Sequence, residues 1–437
     1  MHRIMFVIDS SIIVISLSVL IELGSKVNLK YTIVLVLLIS FLICFSSFSL
    51  GIGSVRASPR TIIVPDNYAT IQEAINNANN GDTVFVKDGT YLESSSITID
   101  RSISLLGQDK ENTIIEEYSI YYHVLIVQAS NVTIKGFTLS DGFAGCRVLG
   151  SGCLISDNNF INDDEGISVD ESVNIVSNNL FIGCRSTGIT VFESDNNLID
   201  SNIVQNGGFV GVYVFSGNNN TIVGNEIINN NDAGLILDIS SSDNFVRGNN
   251  ISNNGWIPWL WGTGVVLWID TNSNQIVFNN ISDNKCGLMV GSTGINEIYH
   301  DSFINNQVQV IDERTPTSIN LWDNGYPSGG NYWSDYAGVD QKSGPYQNLT
   351  GSDGIGDTSY IINNNNTDRY PLMKPYVLLI GDINQDGKVD IKDISIVASA
   401  FGTSLGDPRW NPAADVNQDG RVDIRDVAIV AKNFGEH

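Results

Sequence analysis

Between residues 131 and 318 one phrase returns about every 22 residues. It runs as an asparagine, a short apolar strand, an Asn-rich corner, a second strand, then a glycine that opens an alternating apolar run such as GISVDES, GITVFES, GVYVFSG, GLILDIS or GVVLWID. Spacing takes the second-strand anchors to be Phe137, Phe160, Leu180, Ile203, Ile227, Ile251, Ile281 and Phe303. The glycine openings fall at Gly145, Gly166, Gly188, Gly211, Gly234, Gly264 and Gly287. Two or three strands joined by corners use that length once, which makes each repeat one coil of a β-solenoid. Stacked coils set parallel strands ~4.8 Å apart, with equivalent positions above one another. Alternation sends Ile, Val and Leu inward, while corner asparagines tolerate left-handed backbone and ladder their amides up the stack. The LxxLxLxxN frame of leucine-rich repeats is absent.

A solenoid needs both ends covered. Upstream, Thr70 is positioned to N-cap a helix whose buried stripe is Ile71, Ala74, Ile75 and Ala78, with Asn80-Gly81-Asp82 ending it and Thr83–Val86 starting the first strand. Downstream, residues 319–375 lose the repeat and gain aromatics and glycine. The expected organisation is a leader over 1–57, cap helix and first coils over 58–130, repeats over 131–318, a C-terminal cap over 319–375, and a separate module over 376–437.

The cap-helix phrase, the NxI…GIxL coils and the ending WDNGYPSGGNYWSDY…DGIGD…YPLMKP resemble the NosD-type family of pectin-lyase-like proteins across about residues 59–375. That resemblance implies a mainly β fold, a right-handed parallel β-helix. The copper association of the family name does not carry over: His123, His300, His437, Met289 and Met373 are scattered along the chain.

Residues 31–53 form an uncharged stretch long enough to span a bilayer, preceded by Lys26 and Lys30 and followed by Val55-Arg56-Ala57. This is a signal-peptide layout if translation starts near Val27. The alternative is a retained membrane leader, and membrane contact is expected only there. Either way the body is expected to be extracellular or at the cell surface. With 23 basic against 48 acidic residues, a net charge of −25 excludes nucleic acid as a natural partner and leaves room for hard cations. Cys146, Cys153, Cys184 and Cys286 follow no CxxC spacing, so they read as small buried residues, with a disulfide between stacked coils as the alternative.

The tail carries the most specific chemistry. Asp382, Asn384, Asp386, Asp390 and Asp393 occupy positions 1, 3, 5, 9 and 12 of a loop in which Lys388 offers its carbonyl and Gly387 the sharp turn. The loop recurs 33 residues later as Asp415, Asn417, Asp419, Arg421 (carbonyl), Asp423 and Asp426. Two Ca²⁺ ions are therefore expected. After each loop comes one amphipathic stretch. Ile391, Ile394, Ala398 and Phe401 share a face of the first, and Ile424, Val427, Ala431 and Phe434 share a face of the second. Loop plus single helix, duplicated, resembles a dockerin module, which implies a cohesin-like partner on a surface or scaffold protein. Loop positions 10 and 11, which help set specificity in cellulosomal dockerins, are Ile391-Lys392 and Ile424-Arg425 rather than Ser-Thr.

In the solenoid, equal offsets from the anchors bring Asp141, Asp163, Asp164 and Arg185 together at one corner as candidate catalytic groups. The coil between Ile251 and Gly264 inserts Trp256, Trp259 and Trp261, whose rings suit sugar faces. The GHG and RIK phrases of polygalacturonase-type hydrolases are missing. Binding of an extracellular glycan is the leading expectation, with a polysaccharide lyase or glycoside hydrolase in a dockerin-organised assembly as the alternative.

Overall fold

The computed structural model describes residues 3–8, 11–16 and 58–437, apart from 118, 120, 256–261, 293, 313–318, 377–378, 385–387, 405–406, 418 and 437. Met1–Ser58 and Pro59–His437 are two compact units. In the first, Arg3–Ile8 pairs antiparallel with Ser11–Ser16. The apolar stretch 31–53 and Val55–Ala57 lie outside the described residues. Among those described, no helix is long and apolar enough to cross a membrane.

Pro59–His437 is dominated by three parallel sheets. Sheet 1 has 11 strands from Thr61–Val64 to Glu297–Tyr299, and sheet 2 has 11 from Gly89–Glu93 to Tyr332–Trp333. Sheet 3 has 10 strands from Ile97–Ile99 to Val308–Asp312. Each coil visits the sheets in turn, as in Leu154–Ser156, Asn159–Ile161 and Glu165–Val169. The architecture is a parallel β-helix, as the repeat predicts.

The inward column of sheet 2 runs Leu139, Phe160, Phe181, Val204, Ile227, Ile251, Ile281, Phe303 and Trp333, each paired with the next. Three anchors inferred from spacing are therefore off register. Phe137 is buried ahead of its strand, Leu180 pairs with Asn159, and Ile203 faces outward at 38% exposure. Phe160 and Phe181 stack with centroids 4.5 Å apart. Each such fully buried side chain contributes about 1.5–3 kcal/mol relative to exposure.

Asparagine ladders hold all three corners. At the turn between sheets 1 and 2, the main-chain N–H of Asn158 donates to the side-chain oxygen of Asn179 at 3.0 Å, and the pattern repeats through Asn202, Asn225, Asn249, Asn279, Asp301 and Asn331. A second ladder climbs from Asn174 through Asn197, Asn220, Asn244, Asn274 and Asn296 to Asn320. A third joins Asn230, Asn254, Asn284 and Asn306 at the corner between sheets 2 and 3. These buried amides satisfy corner N–H groups that no sheet partner reaches. The neighbouring residues Asn162, Asn206, Asn229, Asn253 and Asn305 hold φ between 54° and 58° in the left-handed region, where asparagine is tolerated best.

The cap closes two of these ladders. Asn331 donates its N–H to Asp368 Oδ2 at 2.7 Å, and Asn320 donates to Asn366 Oδ1 at 2.9 Å. Trp333 and Trp322 add their indole N–H groups to the same two acceptors. At the other end, α1 (Ile71–Asn76) is capped by Thr70 and buries Ile71, Ala74 and Ile75, as expected from its stripe.

The tail folds as two loop–helix units, α2 (Ile391–Ala400) and α3 (Ile424–Lys432). They interlock: Val422 bonds the main chain of Gly402 and Thr403, and Val389 bonds that of Gly435 and Glu436. This swap fixes the faces. Val397, Ala400 and Val430 are buried, whereas Ile391 and Ile424 are each 66% exposed and Phe401 and Phe434 also face water. The faces inferred from helical spacing alone are thus rotated. Tyr376 leads into this module by stacking on His300 of the solenoid, with centroids 4.2 Å apart. Beside it, the Arg247 guanidinium lies 5.3 Å over the Phe278 ring.

Candidate functional site

The corner between sheets 2 and 3 is the first candidate. In the observed register Asp163 occupies the position of the asparagine ladder and points into the core. It is fully buried, accepts the Gly142 N–H through Oδ1 at 2.9 Å, and leaves Oδ2 without a partner. Burial pushes its carboxyl well above the ordinary carboxylate range, with Asp141 adding to the effect. Asp164 and Arg185 do stack on adjacent coils, their main chains linked by Arg185 N–H to the Asp163 carbonyl at 2.9 Å. Asp141 sits at a left-handed corner with φ 63°, two positions past Leu139, level with Asn162 rather than Asp164. The four residues do not share one solvent-facing surface, because the slip in anchors displaces Asp141 and because one of two adjacent acids must point inward. Among the described residues, no ion pair joins Asp164 to Arg185. Trp256, Trp259 and Trp261 lie outside the described residues.

The richer surface is the outer side of sheet 3, which spacing alone does not single out. Strand alternation projects one row of Thr190, Tyr213, Ile236, Val266 and Met289 away from the core while Ile189, Val212, Leu235, Val265 and Leu288 face it. The apolar members of that row pack together as a small cluster of their own, with Tyr213 and Trp268 partly buried against it. A second outward row holds Phe192, Phe215 and Asp238 on successive coils, and Trp268 continues it after Leu267. Phe192 and Phe215 stack with centroids 5.1 Å apart, and Tyr213 donates its hydroxyl to Asp238 Oδ2 at 2.8 Å. Burial, then the Asp238 carboxylate, raises the Tyr213 phenol, so it stays protonated. Tyr213, Ile236 and Val266 of the first row and Asp238 and Trp268 of the second line a cleft of about 450 Å³ together with Phe209 and Asp232, while Phe192 and Phe215 continue the second row beyond it. Gly291 on the next coil lets the Trp268 ring lie flat: a Cβ there would meet Trp268 Cε3 at 2.4 Å. The signal that finds this surface is residue type at one outward register position across several coils, visible only once the coils are aligned. Cys146, Cys153, Cys184 and Cys286 are all buried, as their scatter implies.

The tail loops form the third candidate. Asp382, Asp393, Asp415 and Asp426, at positions 1 and 12 of each loop, are buried. Asp393 accepts the N–H groups of Ile383, Asn384 and Asp390, and Asp426 those of Asn417 and Asp423. Asp390 and Asp423 also cap the helices. Asp415 accepts from Asp419 and Gly420, yet burial, with Asp426 and Asp419 close by, lifts its carboxyl to about 7. Such a concentration of buried carboxylates fits a hard cation, which would relieve it. Among the described residues, no three Asp, Glu, His or Cys side chains converge on one point. Asp386 and Gly387 lie outside the described residues, and Asn384, Asn417 and the carbonyls of Lys388 and Arg421 are neutral oxygen donors.

Comparison with known proteins separates the two parts of the chain. Residues 122–280 and 165–326 match the family described as right handed beta helix region, and residues 380–435 match the dockerin type I domain. No curated protein matches. The A-module of a mannuronan C-5 epimerase from Azotobacter vinelandii is 17% identical, over 57% of this chain and 93% of its own, with a TM-score of 0.42. An alginate lyase from a Paenibacillus species is 16% identical over 60% and 97%, with a TM-score of 0.40. The Dettilon tailspike protein is 14% identical over 62% and 66%, with a TM-score of 0.42. Likenesses at this level carry nothing about activity.

Proposed function

We propose that this chain, a right-handed β-helix that ends in a dockerin type I domain, is an exported glycan-binding protein moored to a cohesin-like partner. Dockerin type I domains bind calcium, take cohesin partners in general and occur in extracellular proteins. The glycan half of the reading rests on one observation: the double outward row on sheet 3, where aromatic rings flank hydrogen-bonding groups along a groove. Aromatic faces stack on the C–H faces of sugars, and hydroxyls and carboxylates bond the sugar rim.

The mooring half rests on the exposed Ile391 and Ile424, at position 10 of the two loops, with Phe401 and Phe434 also exposed. An exposed apolar set of this kind marks a partner surface. Two Ca²⁺ ions, one held by Asp382, Asn384, Asp386, Lys388, Asp390 and Asp393 and one by Asp415, Asn417, Asp419, Arg421, Asp423 and Asp426, would neutralise the loops and set the helices that carry this surface. Export is supported by the uncharged stretch 31–53 behind Lys26 and Lys30.

Catalysis by the corner residues is the weaker reading, since Asp163 is turned into the core and Asp141 is out of line with Asp164 and Arg185. The test is retention of the full-length protein on a panel of insoluble polysaccharides, with release of reducing or unsaturated sugar followed in parallel. Retention without product supports binding. Product formation that Asp164→Ala abolishes would replace binding with catalysis.

A further inference from the structure

We infer that the outward face of sheet 3 takes an uncharged polysaccharide chain, laid across several coils, rather than a polyuronate. This rests on the glycan-binding reading and narrows it to a substrate class.

Length is the first constraint. Phe192, Phe215, Asp238 and Trp268 follow one another at one register position on four successive coils. At ~4.8 Å per coil that row spans ~14 Å, more than one sugar covers. The rings at its two ends, with a carboxylate between them, are spaced for a chain of sugars whose faces stack and whose hydroxyls reach inward. Beside this row, Thr190 is 6% exposed and its hydroxyl has no hydrogen-bond partner. A buried hydroxyl left unpaired on an outward row is unusual in a settled fold and points to a ligand group that completes it. Tyr213, next in the same row, is already held by Asp238 and so presents an oriented phenol.

Charge then selects the class. The cleft is lined by Asp232 and Asp238, and among the described residues no lysine or arginine lines it. Arg147, two coils before Thr190 in the same outward row, is taken up by Asp170 at 2.6 Å. A uronate chain carries a carboxylate on every sugar, and bringing those against Asp238, in a cleft that no lysine or arginine among the described residues lines, is repulsive. A neutral chain meets the same carboxylates as hydrogen-bond acceptors for its hydroxyls.

The experiment is affinity electrophoresis of the full-length protein in gels containing xylan, mixed-linkage β-glucan or glucomannan, against alginate and polygalacturonate, with and without added calcium. Retardation is expected in at least one neutral gel and in neither polyuronate. Trp268→Ala and Phe215→Ala should each weaken it about tenfold. Phe192→Ala, at a residue 40% exposed, serves as the variant least able to disturb the fold. Retardation by a polyuronate that Trp268→Ala removes would overturn the neutral-chain inference and leave glycan binding standing. Neutral-glycan binding untouched by all three variants would overturn the assignment to this face. No retardation in any gel would end both.

Discussion

At the scale of single residues, buried carboxylates explain most about this chain. Asp301 stands where every neighbour in its ladder is an asparagine, and Asp163 lies on the line of the ladder between sheets 2 and 3, separated from Asn230 by Cys184 and Gly207. Asp368 closes a ladder and accepts three N–H groups, from Asn331, Trp333 and Tyr370. Burial, the largest influence, outweighs those bonds and holds the Asp368 carboxyl at about 7. The folded state therefore keeps a proton that the unfolded chain, with an ordinary carboxyl near 3.8, has already released. Stability from this group is complete in acid and is lost as pH rises from about 4 to about 7, at up to about 1.4 kcal/mol per unit. Thermal melts across that window should show the decline, and Asp368→Asn should remove its share of it. A slope unchanged in the variant would place the titration elsewhere, at Asp163 or Asp301. In the ladder itself, Asn225→Ala strips an acceptor from Asn202 and a donor from Ile199 and Asn249, and should cost about 2–3 kcal/mol in chemical denaturation.

At the scale of elements, the coils, the cap helix and the duplicated loops are legible in the amino-acid order itself. The coils and the loops are announced by their repeats, whereas the α1 stripe and Thr70 cap are local signals. Register is not legible. Phe137 is apolar and buried yet lies outside its strand, so spacing does not tell it from Leu139, and the slip carries the corner residues with it. The helix faces fail for a related reason: the exchange of main-chain bonds between Val389 and Val422 and the opposite helix ends rotates Val397 and Val430 inward, a tertiary constraint that helical spacing does not encode. The outward aromatic rows are hidden in the linear sequence because one outward ring per strand looks incidental until four coils are aligned. The interlock makes a prediction of its own. Calorimetric titration of the full-length protein with Ca²⁺ should give two binding events, and Asp382→Ala or Asp415→Ala should remove one and weaken the other by at least about threefold, since each loop buttresses the other's helix. Two sites that titrate independently in both variants would contradict the coupling.

At the scale of the whole molecule, the dockerin domain meets the solenoid at sheet 1, while the aromatic rows lie on sheet 3. Tyr376 stacks on His300 and meets Phe278 at a tilt, and Phe245, Val277 and Tyr299 close over Ala413. Arg247 is partly buried there, within electrostatic reach of Asp382. Its guanidinium and the cation expected at that loop both answer the same carboxylate. Tyr376→Ala should release the domain, read as faster proteolysis near residue 376 with the solenoid intact. If cleavage is unchanged, the contact does not anchor the domain. Ile391 and Ile424 face outward on the tail and the cleft lies on sheet 3, so on the proposed reading one molecule holds partner and glycan at once. The most direct measurement of that central claim is a crystal structure of the chain soaked with a neutral oligosaccharide of four or more sugars. The predicted result is sugar rings stacked along Phe192, Phe215 and Trp268, with a hydroxyl on Asp238. Sugar bound at the corner of Asp164 and Arg185, or on sheet 1 or sheet 2, would contradict it.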